Sequence, residues 1–308
     1  MHRIFSLILI ILFIAALYGA GSALLKGKSL KEAFSFVSQS ASTSFKKSST
    51  DSVSKNYSPP KTEKKPSAYL EPQKPKINPP AGFTAEQLSP YYQKVRLSSV
   101  SRGTVSGNKA VTQIALRADS SLKEEINITG WKMKGNKGDW VVVPQAINDL
   151  NPLRFWNEGD IIVNSGHYVY LYRASSPMVR SFRLNKCTGY FNEFYKFAPS
   201  LPNNCPGIDR DETISFTGKC QNIIASLGRC RVPTSNQLND YSVLGESACR
   251  AYLDEINYRG CYNRYHSDVD FLSKEWRIWL NKSIGFDPLH DRILLFDKNG
   301  LLVDEKIY

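Results

Sequence analysis

Residues 291–308 read Asp-Arg-Ile-Leu-Leu-Phe-Asp-Lys-Asn-Gly-Leu-Leu-Val-Asp-Glu-Lys-Ile-Tyr, with two apolar runs, Ile293–Phe296 and Leu301–Val303, flanking the tetrapeptide Asp297-Lys298-Asn299-Gly300. The tetrapeptide has the chemistry of a hairpin turn. Asp297 can accept from the backbone two residues on, Asn299 suits the second central position of a type I turn, and Gly300 can take the left-handed conformation of a following bulge. The chain is therefore predicted to end in two antiparallel strands. A lone hairpin is marginal in water, so the rest of the chain must supply a larger sheet.

The stretch that starts at Tyr91 supplies it. Val95 and Leu97 alternate with Arg96 and Ser98, and Thr112, Ile114 and Leu116 alternate with Gln113, Ala115 and Arg117, the period-two pattern of half-buried strands. Further strands are predicted at Ile126–Met133, Trp140–Val143, Asp160–Val163 and Tyr168–Tyr172, with Asn164-Ser165-Gly166 as a turn. In the last of them Val169 and Leu171 share one face and Tyr168, Tyr170 and Tyr172 the other. Glu275–Leu280 reads as a returning strand, with Trp279 either packed under neighbouring chain or part of a binding surface. Short strands at this density, parted by Gly, Asn and Pro, predict a mainly β, antiparallel sandwich or barrel.

Four pieces in order resemble the lamin tail domain: Ile114-Ala115-Leu116; Ile126-Asn127-Ile128-Thr129-Gly130-Trp131; Gly166 before Tyr168–Leu171; and Arg292–Phe296 with Asp297-Lys298-Asn299-Gly300 and Val303-Asp304. The resemblance covers about 91–175 and 276–308. It implies an immunoglobulin-like antiparallel β-sandwich that serves as a binding or adaptor domain. Ser165 stands where proline is common in that family, and the two halves are parted by an insertion at about 181–272.

All six cysteines, Cys187, Cys205, Cys220, Cys230, Cys249 and Cys261, fall in this insertion. An even, clustered set behind a membrane signal predicts disulfides and an oxidising compartment. Six cysteines allow fifteen pairings. A local Cys187–Cys205 bridge is reasonable across a Pro- and Asn-containing loop. Gln221–Leu227 and Arg250–Ile256 look helical, and a helix running from one cysteine to the next would hold the sulfurs too far apart to bond. Either each helix stops early and the chain folds back, as Cys220–Cys230 and Cys249–Cys261, or two helices pair as Cys220–Cys261 and Cys230–Cys249. No Cys-x-x-Cys pair exists and His266 has no second histidine at ligand spacing, so no metal and no cofactor are expected.

At the other end, Ile4–Leu25 carries no charge and would span roughly 33 Å as a helix, enough for a bilayer. Residues 1–25 read as a single transmembrane signal anchor, with a cleaved signal peptide as the rival because Gly19–Ala23 could hold a peptidase site. Lys26, Lys28 and Lys31 would keep the C-terminal side in the cytoplasm, whereas the cysteines argue for an extracytoplasmic domain, and the cysteines are given the greater weight. Residues 26–90 are rich in Ser, Lys and Pro and predict a disordered spacer with a reach of about 45 Å. The net charge of +12 is concentrated here: residues 1–90 hold 12 basic and five acidic residues.

The chain has no zinc-protease motif, no Gly-x-Ser-x-Gly elbow, no P-loop and no dinucleotide-binding glycine pattern. Asp268 and Asp270 with Glu275 lack the glycine and full ligand series of a calcium loop. The leading expectation is a non-enzymatic, membrane-tethered binding or adaptor module for a protein or cell-envelope partner. Its possible binding surface is Tyr168, Tyr170, Tyr172 and Trp279, able to hold a glycan or stack bases. The basic balance makes polyanion or DNA binding the alternative. A hydrolase using His266, Asp268, Asp270 and Glu275 is the third. Asn127 with Thr129 and Asn281 with Ser283 match the glycosylation pattern.

Overall fold

A computed structural model describes residues 78–138 and 140–308. The predicted anchor, and all but the last part of the predicted spacer, lie outside these residues. Among the described residues no helix is long and apolar enough to cross a membrane.

Among the described residues the fold is mainly β, with eleven strands. They are β1 Val95–Val105, β2 Asn108–Ala118, β3 Ile126–Asn127, β4 Lys132–Lys134, β5 Trp140–Val142, β6 Ile162–Val163, β7 Tyr168–Tyr172, β8 Phe182–Asn185, β9 Leu272–Trp279, β10 Arg292–Phe296 and β11 Leu302–Ile307. A five-stranded sheet runs β1-β2-β7-β9-β8, a four-stranded sheet β11-β10-β4-β5, and β3 pairs with β6 alone. Ile114, Leu116, Val169, Leu171, Trp276 and Ile278 from the first sheet share one apolar core with Met133, Val141, Ile293, Leu295 and Val303 from the second. The alternation in β7 holds: Val169 and Leu171 are buried in this core and the tyrosines turn to the opposite face.

The C-terminal hairpin forms as predicted. Asp297 Oδ1 accepts from Asn299 N (2.9 Å) and Leu301 N (3.0 Å), and Gly300 sits at φ +80° beside a register shift between Leu295 and Phe296. Asp297 is buried, and its Oδ2 accepts from Ser89 Oγ at 2.7 Å. Ser89 N donates to Leu302 O, and Phe83 packs 6.3 Å from Phe296. The expected spacer boundary at residue 90 is thus too late, because Phe83–Pro90 is docked on the hairpin by these contacts. On β11, Asp304 Oδ2 accepts from Leu97 N at 2.7 Å and ties the edge strands of the two sheets together.

Two expectations need correction. The architecture is not wholly antiparallel, since β7 and β9 run parallel from Tyr168↔Glu275 to Tyr172↔Trp279. A parallel pair needs a long crossover, and the intervening insertion is that crossover. The insertion is also shorter than the expected 181–272, because Phe182–Asn185 is the edge strand β8, antiparallel to β9.

Between β8 and β9 lie five short helices: α1 Gly218–Ser226, α2 Ser235–Leu238, α3 Tyr241–Leu244, α4 Ser247–Asp254 and α5 Tyr258–Tyr265. Both predicted helical stretches are present as α1 and α4, and both end early, at Ser226 and Asp254. All six cysteines are paired, as Cys187–Cys261, Cys205–Cys230 and Cys220–Cys249, with Cα separations of 5.8, 5.3 and 6.1 Å. None of the five bridges weighed from the sequence forms. Cys220 in α1 bonds Cys249 in α4, Cys230 beyond the end of α1 reaches back to Cys205, and Cys261 in α5 bonds Cys187, two residues past the end of β8. The bridges therefore join elements to each other and to the sheet, and none links the two ends of one helix. Gly189 admits one of them, since a Cβ there would lie 2.3 Å from Cys230 Sγ.

Candidate functional site

The rigid strand pair β7–β9 positions the tyrosine face. The rings of Tyr168, Tyr170 and Tyr172 stack along β7 at centroid spacings of 6.2 and 6.3 Å. Cross-strand partners cover them. Arg117, opposite Tyr168, holds its guanidinium 5.1 Å from that ring, and Arg277, opposite Tyr170, lies 5.6 Å from Tyr170 and 5.4 Å from Tyr172. Arg277 is buried, pairs with Glu275 and donates to Tyr172 Oη at 2.7 Å. A buried guanidinium so bonded leaves no uncompensated charge. Burial pushes the Tyr172 phenol up to about 12 and also raises Tyr170.

Trp279 takes the packed alternative. It is buried 5.8 Å from Tyr172, 5.3 Å from Phe182 and 5.6 Å from Phe197, under the insertion. Its indole N–H has no acceptor among the described residues. The four predicted surface residues thus share one face, but Tyr172 and Trp279 are closed over while Tyr168 and Tyr170 remain half-buried at its open end.

Where the face meets the end of β7, a cleft of about 650 Å³ opens, lined by Gln113, Tyr172, Arg173, Pro199, Asn281 and Lys282 among others. Across the hydrogen bond from Ser175 Oγ to Asn281 Oδ1 (2.5 Å) it adjoins a second cleft of about 290 Å³ beside Trp279 and Arg180. A third, of about 210 Å³, lies in the insertion beside Tyr190, Ile208 and Cys230. Sequence reasoning missed the arginines and the clefts. Arg117 and Gln113 alternate with apolar residues on β2, but only the strand register reveals which tyrosine each one meets.

The proposed hydrolase quartet does not converge. Asp268 and Asp270 gather on Lys186 at 2.7 and 2.5 Å, which holds Asp270 below and Lys186 above their usual ranges. Glu275 is engaged by Arg277, and His266 stacks on Tyr262 with 5.2 Å between centroids. Cys220, Cys249 and Glu246 lie close together, but both sulfurs are bonded to each other and the carboxylate accepts from Thr217 N and Oγ. No thiolate is left there for a metal. The asparagines of both glycosylation patterns are exposed, Asn127 donating to Asp160 and accepting from Thr129 N, and Asn281 accepting from Ser175 Oγ at the cleft.

His167, at the start of β7, is buried, and burial with the charges of Arg183 and Lys274 drops its pKa to about 4. Unfolded histidine titrates near 6.5, so only the unfolded chain takes up this proton between those values. The stability conferred by neutral His167 is complete above about pH 6.5 and is lost as pH falls towards 4, by roughly 3 kcal/mol. Urea midpoints measured at pH 7 and pH 4.5 should differ less in His167→Gln than in the parent. An unchanged difference would refute the assignment.

No family model matches the chain, and no curated protein matches it either.

Proposed function

We propose that the chain is a non-enzymatic, membrane-tethered extracytoplasmic binding module, with a lamin-tail-like, immunoglobulin-type sandwich carrying a disulfide-stapled insertion. The observation that carries this reading is the set of three buried bridges, Cys187–Cys261, Cys205–Cys230 and Cys220–Cys249, a feature characteristic of proteins of oxidising compartments. Ile4–Leu25 is the tether and the Ser/Lys/Pro-rich chain after it the spacer. The fold assignment draws support from the two core-sharing sheets, from buried Trp131 after the Gly130 turn, and from the hairpin with Gly300 ahead of Val303-Asp304. The face offered to a protein or cell-envelope partner is the tyrosine strip and its cleft, supported on rigid strands.

Arg117 and Arg173 around that strip favour a second reading, recognition of a polyanion. Base stacking is a poor form of it, because neighbouring tyrosines and guanidinium groups already lie over the tyrosine ring faces. Protease treatment of intact cells should digest the folded part while a cytoplasmic marker survives. A domain protected in intact cells would overturn the location.

A further inference from the structure

We propose that the cleft at the ends of β7 and β9 is a binding site for an acidic saccharide, an oligomer whose units carry carboxylate or phosphate groups. The inference rests on the reading of this face as a binding surface and names its ligand class. The cleft exists for a topological reason. Because β7 and β9 are parallel, both chains leave the sheet at the same end and must then separate. The chain after β7 turns through Ser176 towards β8, whereas the chain after β9 crosses to β2, where Ile284 bridges Val111. The gap between these diverging connections is the cleft, and crevices beyond the carboxyl ends of parallel strands are where open α/β sheets hold ligands. Its volume of about 650 Å³ lies within the range of small-ligand sites, about 300–1,000 Å³.

The lining sets the chemistry. Arg173 and Lys282 bring two cations, no carboxylate lines the cleft, and neither cation has an acidic partner among the described residues. Arg173 Nη2 donates only to Ser283 Oγ, at 3.2 Å, so most of its planar fork is free for an anionic oxygen. Gln113, Ser175 and Asn281 add neutral donors and acceptors of the kind that pair with hydroxyls. Val105, Ala198 and Pro199 form an apolar wall suited to the C–H face of a sugar ring. The smaller cleft across the Ser175–Asn281 bond has Gln145, Arg180 and Trp279 on its lining together with Glu158, which pairs with Arg180 at 3.9 Å, so the anion-binding part of the site is confined to the larger cleft. A nucleic acid would need free aromatic faces, which the stacked tyrosines do not offer.

The full-length protein in detergent would be titrated calorimetrically with three tetrasaccharides of one length, a uronate oligomer, a phosphorylated oligomer and a neutral glucan, and with a single-stranded oligonucleotide. At least one acidic sugar should bind saturably and the neutral glucan about tenfold more weakly or not at all. Lys282→Glu and Arg173→Gln should each weaken binding about tenfold or more, the scale of one charge-assisted hydrogen bond, with unchanged melting. Lys219→Glu, on the exposed surface of α1, should bind as the parent does. Equal binding of neutral and acidic sugars, binding of the oligonucleotide alone, or no binding by the folded protein would overturn the ligand class. Loss of acidic-sugar binding in Arg117→Gln but not in the two cleft variants would move the ligand onto the tyrosine face, ending the cleft assignment while leaving the binding module intact. Protection from external protease would remove the underlying reading by itself.

Discussion

A protein lacking residues 291–308 should show no cooperative melt at all. Strand β10 is interior to its sheet, between β11 and β4, and Ile293, Leu295, Leu302 and Val303 are inaccessible to solvent. Returning four such side chains to water costs roughly 6–12 kcal/mol, which matches the whole stability of an ordinary domain, about 5–15 kcal/mol. The deletion also strands Ser89, which loses Asp297, and the edge of β1, which loses the Asp304 carboxylate that accepts from Leu97 N. A milder probe grades the same dependence. Leu295→Ala should cost about 2–5 kcal/mol, because it leaves a cavity between the sheets. Thermal unfolding followed by far-ultraviolet circular dichroism tests both, and a truncated chain that still melts cooperatively would show the hairpin to be an appendage.

How far the sequence disclosed this architecture depended on whether each signal was local. Asp297, Asn299 and Gly300 specify their turn within four residues, and the hairpin is where they predict it. The alternation in Tyr168–Tyr172 predicts which side chains enter the core for the same reason. The signal failed where backbone irregularity breaks the period. β1 continues to Val105, but register shifts after Leu97 and after Ser101 move successive side chains off the alternating pattern, so Ser99–Val105 does not read as strand. β8 spans only four residues, too few for periodicity to separate from chance beside the cysteine region. The cysteine pairing was illegible because each bridge is set by how helices lie against the sheet. Trp279 was legible only as an alternative, since alternation puts it opposite Ile278 without saying what covers it. The cleft was invisible in principle: Gln113 in β2 and Arg173, Pro199 and Lys282 in three separate connections converge on it, and nothing in their spacing announces it.

The second large effect concerns Cys187–Cys261, which closes a loop with a sequence separation of 74 and is the bridge that pins the insertion to the sheet. In the entropic model such a loop contributes about 4.5 kcal/mol, against about 3.5 kcal/mol for Cys205–Cys230 with its separation of 25. Cys187→Ala with Cys261→Ala should therefore split unfolding into two transitions. The insertion has its own core, in which Phe191 stacks on Tyr258 at 4.3 Å and both pack with Phe182 and Trp279. This core depends on apposition to the outer sheet face, which the bridge enforces. The other core, with Trp276, Ile278 and Leu171, lies on the opposite face and needs no cysteine. The early transition should expose Trp279 and Tyr172, shift tryptophan emission to the red and open residues 190–265 to limited proteolysis, while the sheets melt later. Because Pro199 in the insertion forms one wall of the cleft, saccharide binding should disappear at the first transition and not the second. A single transition with parental midpoint would show that helix packing, and not the bridge, holds the insertion in place. Binding retained after the first transition would show that the insertion is no part of the site.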